Sequence, residues 1–310
     1  MPTFNPMSRR QVLQGLLMAT AASALPPWQV LAQHNGPKTR VIPSTGDTVP
    51  LVGLGSWITF NVGDDPELLE QCADVMAAFF ESGGRMIDSS PMYGSSQATI
   101  GYGLDKLDAY ERVFSADKLW TSSPDEGRDQ IEASRSDWGV SRFDLLQVHN
   151  LRAWRENLET LLTMKDDGEL RYVGITTSHG RRHDEFETIM RDYPLDFVQL
   201  TYNPVDREAE QRLLPLARER EIGVIVNRPF QQGRLIDRLG DHDLPDWASE
   251  VGAETWAQLI LKFIISHPDV TCAIPATTQV EHVRENMAAA SSPLPDDDMR
   301  QRIAETIGEL

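Results

Sequence analysis

Eight times between residues 39 and 290 the chain passes from a short apolar run of strand type to a stretch whose apolar residues recur at helical spacing. That alternation builds a parallel sheet covered by helices. With right-handed crossovers, eight units close into one (β/α)8 barrel, an α/β fold of TIM type in a single domain. The strand-like runs are Leu51–Trp57, Arg85–Ser89, Arg112–Trp120, Asp144–His149, Tyr172–Thr176, Phe197–Leu200, Gly223–Val226 and Val270–Ile274. Helical periodicity covers Pro66–Glu81, Ser96–Leu107, Asp129–Trp138, Arg155–Lys165, Asp184–Arg191, Ala209–Arg220, Glu254–Ser266 and Val280–Ala289. Pro66–Glu81 shows the logic: proline opens it, Leu68, Leu69, Cys72, Met76, Phe79 and Phe80 form its buried stripe, and Ser82-Gly83-Gly84 ends it. Ahead of the barrel, Ser44-Thr45-Gly46-Asp47 is a turn between Thr39–Ile42 and Thr48–Pro50, which predicts an N-terminal β-hairpin. After it, 296–310 reads as an extra C-terminal helix with an acidic first turn.

A chain of 310 residues with 40% hydrophobic content is long enough to bury such a core. Its formal net charge of −18 disfavours nucleic acid and anionic lipid as partners. The two cysteines, Cys72 and Cys272, have no metal-ligand spacing, so no metal is expected. Residues 1–32 read as an address rather than as fold. Ser8-Arg9-Arg10-Gln11-Val12-Leu13 resembles the twin-arginine export signal, followed by an apolar run and a small-residue cleavage site near Val30-Leu31-Ala32. The apolar run is too short for a stable membrane anchor. The expectation is passage through the twin-arginine translocase and a periplasmic location.

Side chains at the C-terminal ends of barrel strands converge on one mouth. Four chemically capable residues fall there: Asp88 after Arg85-Met86-Ile87, Tyr93 five residues on, Lys118 after the third strand's apolar run, and His149 after Leu145-Leu146-Gln147-Val148. A buried Asp88 needs a cation, and Lys118 supplies one. An ammonium beside a phenol favours phenolate, which predicts a lowered pKa for Tyr93 and a general-acid role. His149 offers a donor and an acceptor to a carbonyl.

Met86-Ile87-Asp88-Ser89-Ser90-Pro91-Met92-Tyr93-Gly94 resembles the Asp-x-x-x-x-Tyr-Gly signature of the aldo-keto reductases. The likeness extends in order over roughly residues 39–290. It takes in Gly53-Leu54-Gly55-Ser56-Trp57, Lys118, Asp144 to His149, Tyr172 to Thr176, Gln199 to Pro204 and Ile274 to Thr278. The resemblance implies hydride transfer between NAD(P)(H) and a small-molecule carbonyl or alcohol. Tyr93 would then be the proton donor, Lys118 and Asp88 would tune it, and His149 would orient substrate. It also implies nicotinamide contacts from Thr176, Thr177 and Gln199. Asn227 stands where many members carry a stacking aromatic, in Val226-Asn227-Arg228-Pro229-Phe230, with Phe230 or Trp57 available instead. Thr277, Thr278, His282, Glu285 and Asn286 correspond to the adenosine-phosphate end. The family habit favours NADP(H), whereas Ala276 and His282 weaken the basic clamp for a 2′-phosphate and keep NAD(H) open. The same barrel also suits a nucleotide-binding regulatory protein with little turnover, or an isomerase or lyase, because a fold does not fix a function. The mouth loops 59–65, 121–128, 151–154 and 231–247 are expected to set substrate choice. Trp120, Trp154 and Phe60 are either an apolar wall around it or core.

Overall fold

The computed structural model describes residues 36–310 except 124, 125 and 292, so the expected export signal lies outside the described residues. Strands β1 (Thr39–Val41) and β2 (Thr48–Pro50) form the antiparallel hairpin. Strands β3 (Leu54–Gly55), β4 (Met86–Asp88), β5 (Phe114–Leu119), β6 (Leu145–Val148), β7 (Tyr172–Thr176), β8 (Phe197–Thr201), β9 (Gly223–Asn227) and β10 (Cys272–Ala273) pair in parallel in sequence order. Parallel bridges Val52↔Ala273 and Gly55↔Ala276 join the first of these to the last, closing the barrel. Backbone donors at Gly53 and Gly55 reach Ala273 O and Pro275 O at 2.8 and 2.9 Å. Glycine is required at this seam. A Cβ on Gly53 would lie 2.8 Å from Met86 O, and one on Gly55 2.7 Å from Ile274 O. The strand itself, Leu54–Gly55, is shorter than the apolar run Leu51–Trp57 suggests.

The outer layer comprises α1 (Pro66–Glu81), α2 (Ser96–Lys106), α3 (Gly127–Trp138), α4 (Trp154–Asp166), α5 (His183–Asp192), α6 (Leu213–Glu219), α7 (Arg234–Leu239), α8 (Trp256–Ser266), α9 (Val280–Ala288) and α10 (Asp297–Glu309). Local chemistry sets several of their ends. Asp65 Oδ1 caps α1 by accepting from the N–H groups of Glu67 and Leu68, at 3.0 and 3.2 Å. Thr255 does the same for α8 and Asp296 for α10. Gly139, with φ +70°, ends α3 in the left-handed conformation that a helix stop favours. Helical structure also occurs where none was expected. The segment 231–247, read as loop, contains α7 and the start of a 3-10 turn at Asp246–Val251, whose apolar pattern is too short to register as periodicity.

Alternation along the strands sorts the core into two parts. Outward residues such as Ile87, Leu146 and Val198 pack under the helices. Inward residues Met86, Phe114, Leu145, Tyr172, Phe197 and Ile225 fill the barrel together with Ile42 and Val49 of the hairpin region. Phe114, Tyr172 and Phe197 contact one another with ring centroids 5.5 to 6.3 Å apart. The Tyr172 hydroxyl donates to Asp47 Oδ2 at 2.6 Å, tying the hairpin turn to the barrel floor. With that end plugged by apolar side chains, inward polar groups have room only at the opposite end.

Candidate active site

The polar layer begins one inward step above the apolar floor, with Asp88 following Met86 and Lys118 following Ala116. Asp88 and Lys118 are both about 2% exposed, and Lys118 Nζ donates to Asp88 Oδ1 at 2.5 Å and to Ser89 O at 2.7 Å. The second carboxylate oxygen of Asp88 accepts from Gln199 Nε2 at 2.9 Å and Gln147 Nε2 at 3.3 Å. Five strand-end groups from four strands thus share one buried charge pair. Burial works against the Lys118 ammonium, yet Asp88, Tyr93 and Asp117 outweigh it and hold its pKa above the ordinary lysine value.

Tyr93 sits on the turn after β4, half-buried, with its ring centre 5.1 Å from Lys118 Nζ and 5.7 Å from the His149 ring, which it meets edge-on. Burial raises its pKa, Lys118 lowers it through charge and hydrogen bonding, and Asp88 raises it again. The net direction is upward, opposite to the sequence expectation. Counting the ammonium alone neglects the low-dielectric wall in which the phenol is set and the carboxylate already partnering that ammonium. The phenol is therefore protonated at neutral pH, the form that can give a proton away.

His149 shares a hydrogen bond with Ser90 Oγ through Nδ1 at 2.8 Å, which leaves Nε2 for a ligand. Burial and then the Lys118 charge push its pKa well below 6.5. The imidazole is neutral above that range. We predict that a pH profile of turnover shows no limb near 6.5 from this residue; such a limb that vanishes in His149→Gln would contradict the neutral imidazole.

These groups open onto a cavity of about 700 Å³. Its lining includes Trp57, Asp88, Tyr93, His149, Thr176, Gln199, Asn227, Arg228 and Phe230, all singled out in the sequence. Thr176 Oγ1 accepts from Asn150 N–H at 2.9 Å. The Asn227 amide is engaged by Thr177 O at 3.0 Å and Gln199 Oε1 at 3.4 Å, and its oxygen accepts from Thr201 at 2.7 Å, so it braces neighbours where an aromatic would stack. Arg228 lies 5.6 Å over the Trp57 ring. Among the described residues its guanidinium has no carboxylate partner, while Arg234 and Arg181 add like charge nearby. Asp206 opposes them from a distance without forming an ion pair, and an arginine so placed in the cavity wall suits an anionic ligand.

Other expected residues stand apart from the cavity. Thr177 turns its hydroxyl to Arg181 O at 2.5 Å. Thr277, Thr278, His282, Glu285 and Asn286 cluster at and along α9, continuing from Ala276 on the cavity rim. There Thr277 Oγ1 accepts from Gln279 N–H at 3.1 Å and meets His282 Nδ1 at 3.3 Å, a turn that leads into α9, whose N-cap residue is Gln279. Gln71 Nε2 donates to Thr278 O at 2.9 Å, and Glu285 accepts from the Thr255 hydroxyl. Phe60 and Trp154 are core, 0% and 7% exposed, and Trp120 is absent from the cavity lining, lying instead under Arg152. The apolar rim is made by Trp57, Ile58 and Met92 instead. Ile58 is 64% exposed at φ +65°, a conformation costing a β-branched residue about 1–3 kcal/mol. Ile58, Met92, Asn150, Ser178 and His179 were not foreseen. They follow strand ends by two to four residues, a position that the strand periodicity itself could have flagged.

The family model described as "Aldo/keto reductase family" matches residues 51–305. The chain belongs to the aldo/keto reductase family. Among curated relatives of this aldo/keto reductase is the NADH-specific methylglyoxal reductase of Escherichia coli (strain K12), 24% identical over 318 residues, covering 82% of this chain and 94% of that protein. Methylglyoxal reductase YeaE of the same organism is 26% identical over 257 residues, covering 80% and 88%. Of solved structures, an aldo/keto reductase from Klebsiella pneumoniae in complex with NADP and acetate superposes with a TM-score of 0.71 at 24% identity, covering 87% of this chain and 95% of that one. The holo form of aldo-keto reductase AKR11C1 from Bacillus halodurans gives 0.71 at 18% identity, covering 87% and 96%. Both support the barrel architecture. Among the described residues no group of three or more His, Cys, Asp or Glu could hold a metal ion, and no helix is long and apolar enough to cross a membrane.

Proposed function

We propose that this aldo/keto reductase interconverts a small carbonyl compound and its alcohol with NAD(P)(H), using Tyr93 as general acid and base. The observation that carries the reading is the meeting of Tyr93, Asp88 and His149 at one wall of a cavity that also holds an unpaired arginine, with Lys118 buried behind that wall on Asp88 and 5.1 Å from the Tyr93 ring centre. The site fits a nicotinamide dinucleotide. Thr176 and Gln199, the latter braced by Asn227, offer polar groups beside Trp57 and Phe230 for the ring, and Arg228 offers charge to the diphosphate. The run from Thr277 to Asn286 is assigned to the adenosine end. When bound, such a cofactor supplies or takes up a hydride. The protein's own part is to hold the carbonyl oxygen between Tyr93 and His149 and to move a proton at the Tyr93 hydroxyl. Lys118 keeps positive charge beside that oxygen as alkoxide character develops.

Relatives named for methylglyoxal favour a small, oxygen-rich aldehyde as substrate. Family habit favours NADP(H); the missing basic residue at Ala276 and an NADH-specific relative keep NAD(H) as the second cofactor. The same reading includes export by the twin-arginine route on the strength of Ser8-Arg9-Arg10, with the cofactor carried out in the folded protein. The test is loss of reduced-nicotinamide absorbance with a panel of aldehydes, ketones and sugars, run with both cofactors. Carbonyl-dependent oxidation supports the proposal. Nucleotide binding without oxidation by any member of the panel would replace it with the regulatory barrel.

A further inference from the structure

Beside Lys118, and with no role in the scheme above, lies a second buried acid. Asp117 is 0% exposed, and its side chain lies on the opposite face of β5 from that of Lys118. Its Oδ2 accepts from Gln97 Nε2 of α2 at 2.7 Å, and the same Gln97 nitrogen donates to Ser134 Oγ of α3 at 2.8 Å. Its Oδ1 accepts from the Lys118 backbone N–H at 2.7 Å. Among the described residues no cation forms an ion pair with it. The groups facing it from the helix layer, Gln97 and Ser134, are uncharged. The charges that act on it are Lys118 on its own strand and Asp88 on β4.

A carboxyl taken fully out of water without a counter-ion is expensive in a layer that otherwise packs Ile87, Leu146 and Trp138. Two donors, Gln97 Nε2 and the Lys118 N–H, point at this side chain, and a carboxylate meets each with an oxygen where asparagine or threonine has only one. Beyond that second acceptor the carboxyl adds a charge that can be switched. Burial pushes its pKa up to about 7, with Gln97 and Lys118 opposing, so it changes charge in the neutral range. That charge reaches the front of the strand, where it raises the pKa of Tyr93 and of Lys118.

We propose that Asp117 is a positioning residue for the reaction, fixing the Lys118 backbone from behind β5 and, by its charge state, setting the pH range over which Tyr93 keeps its proton. This rests on the proposed role of Tyr93, but the coupling between the two side chains exists whether or not the protein turns over substrate. The sign follows from the charge. Above neutrality Asp117 is an anion and opposes formation of tyrosinate. Replacing it by asparagine removes that opposition, so Tyr93 ionises at lower pH. Carbonyl reduction, which needs the protonated phenol, then falls off at lower pH too.

The experiment is a titration of protein labelled with ¹³C at tyrosine Cζ, the Tyr93 signal being assigned by its absence in Tyr93→Phe. In the parent protein that signal should show a small step near neutral pH, when Asp117 ionises, ahead of its own large step at high pH. Asp117→Asn should abolish the small step and lower the large one by about 0.5–1 pH unit. Gln97→Met, which removes the clip and keeps the carboxyl, should retain the two steps. The alkaline limb of kcat/KM should move with the Asp117→Asn signal. A parent signal flat between pH 6 and 8 would overturn the inference without needing any variant to fold. So would an unmoved large step in a folded Asp117→Asn protein, and so would equal effects of the two substitutions, which would leave Asp117 a structural clip. Absence of turnover in the parent would count against the proposed function and leave the titration to decide this one.

Discussion

Replacing Tyr93 by phenylalanine is expected to lower kcat for carbonyl reduction by about 10²–10⁴-fold, the usual contribution of a positioned general acid. The substitution is clean. The ring that meets His149 edge-on at 5.7 Å and lies 5.1 Å from Lys118 Nζ is kept, and only the hydroxyl is lost. Stability should therefore change little, and nucleotide affinity, proposed to come from Arg228 and the strand ends around it, should persist. Initial rates of reduced-nicotinamide oxidation, with a fluorescence titration of nucleotide on the same samples, separate the two quantities. A variant that keeps most of the parent's kcat would move the proton-donating role to another group.

Lys118→Met should damage the protein twice over. The methionine fills most of the same space but leaves the Asp88 carboxylate without its ammonium in a site where both side chains are at most 3% exposed. Breaking such a pair from one side costs about 3–5 kcal/mol, because the remaining charge stays desolvated. Asp88 keeps its bonds to Gln199 and Gln147, which places the expected loss at the lower end of that range. The double variant Asp88→Asn/Lys118→Met should recover part of the lost stability, since an amide needs no counter-ion. Activity should not recover with it, because charge beside the developing alkoxide is still missing. Denaturant midpoints and kcat for the two single variants and the double one check both halves. Restored stability with restored turnover would mean that Lys118 acts only as a strut.

The stability contributed at Lys118 also has a defined pH range. Its pKa is raised in the fold, so the contribution is complete below the ordinary value of 10.5 and is lost as pH rises through the higher folded value.

Periodicity made the architecture legible. Helix α1 runs over the predicted Pro66–Glu81, and β7 over the predicted Tyr172–Thr176. An amphipathic stripe and a buried apolar run each fix their own local geometry. The strand-end rule then placed Asp88, Lys118 and His149 together, and the structure has Asp88 and His149 in the cavity wall with Lys118 buried behind them on Asp88. Where the reading stopped, the cause is lateral contact. Nothing in the order of residues says that Phe60 turns into the core while Ile58 is held outward, or that Asn227 spends its amide on Thr177 and Gln199.

Electrostatics shows the same division. The neighbour expected to acidify Tyr93 is present, but the sign of the outcome came from how deeply the phenol is buried and from Asp88 beyond the ammonium. Asp117 went unremarked because its side-chain partner, Gln97, is 20 residues away along the chain. By itself the sequence determined the repeat, the barrel that the repeat closes, and the kinds of side chain delivered to its mouth, because alternation and strand polarity are local properties. The tertiary structure alone decided which way each of those side chains faces and what proton affinity it has, because burial and through-space charge depend on neighbours that the chain brings together only when folded.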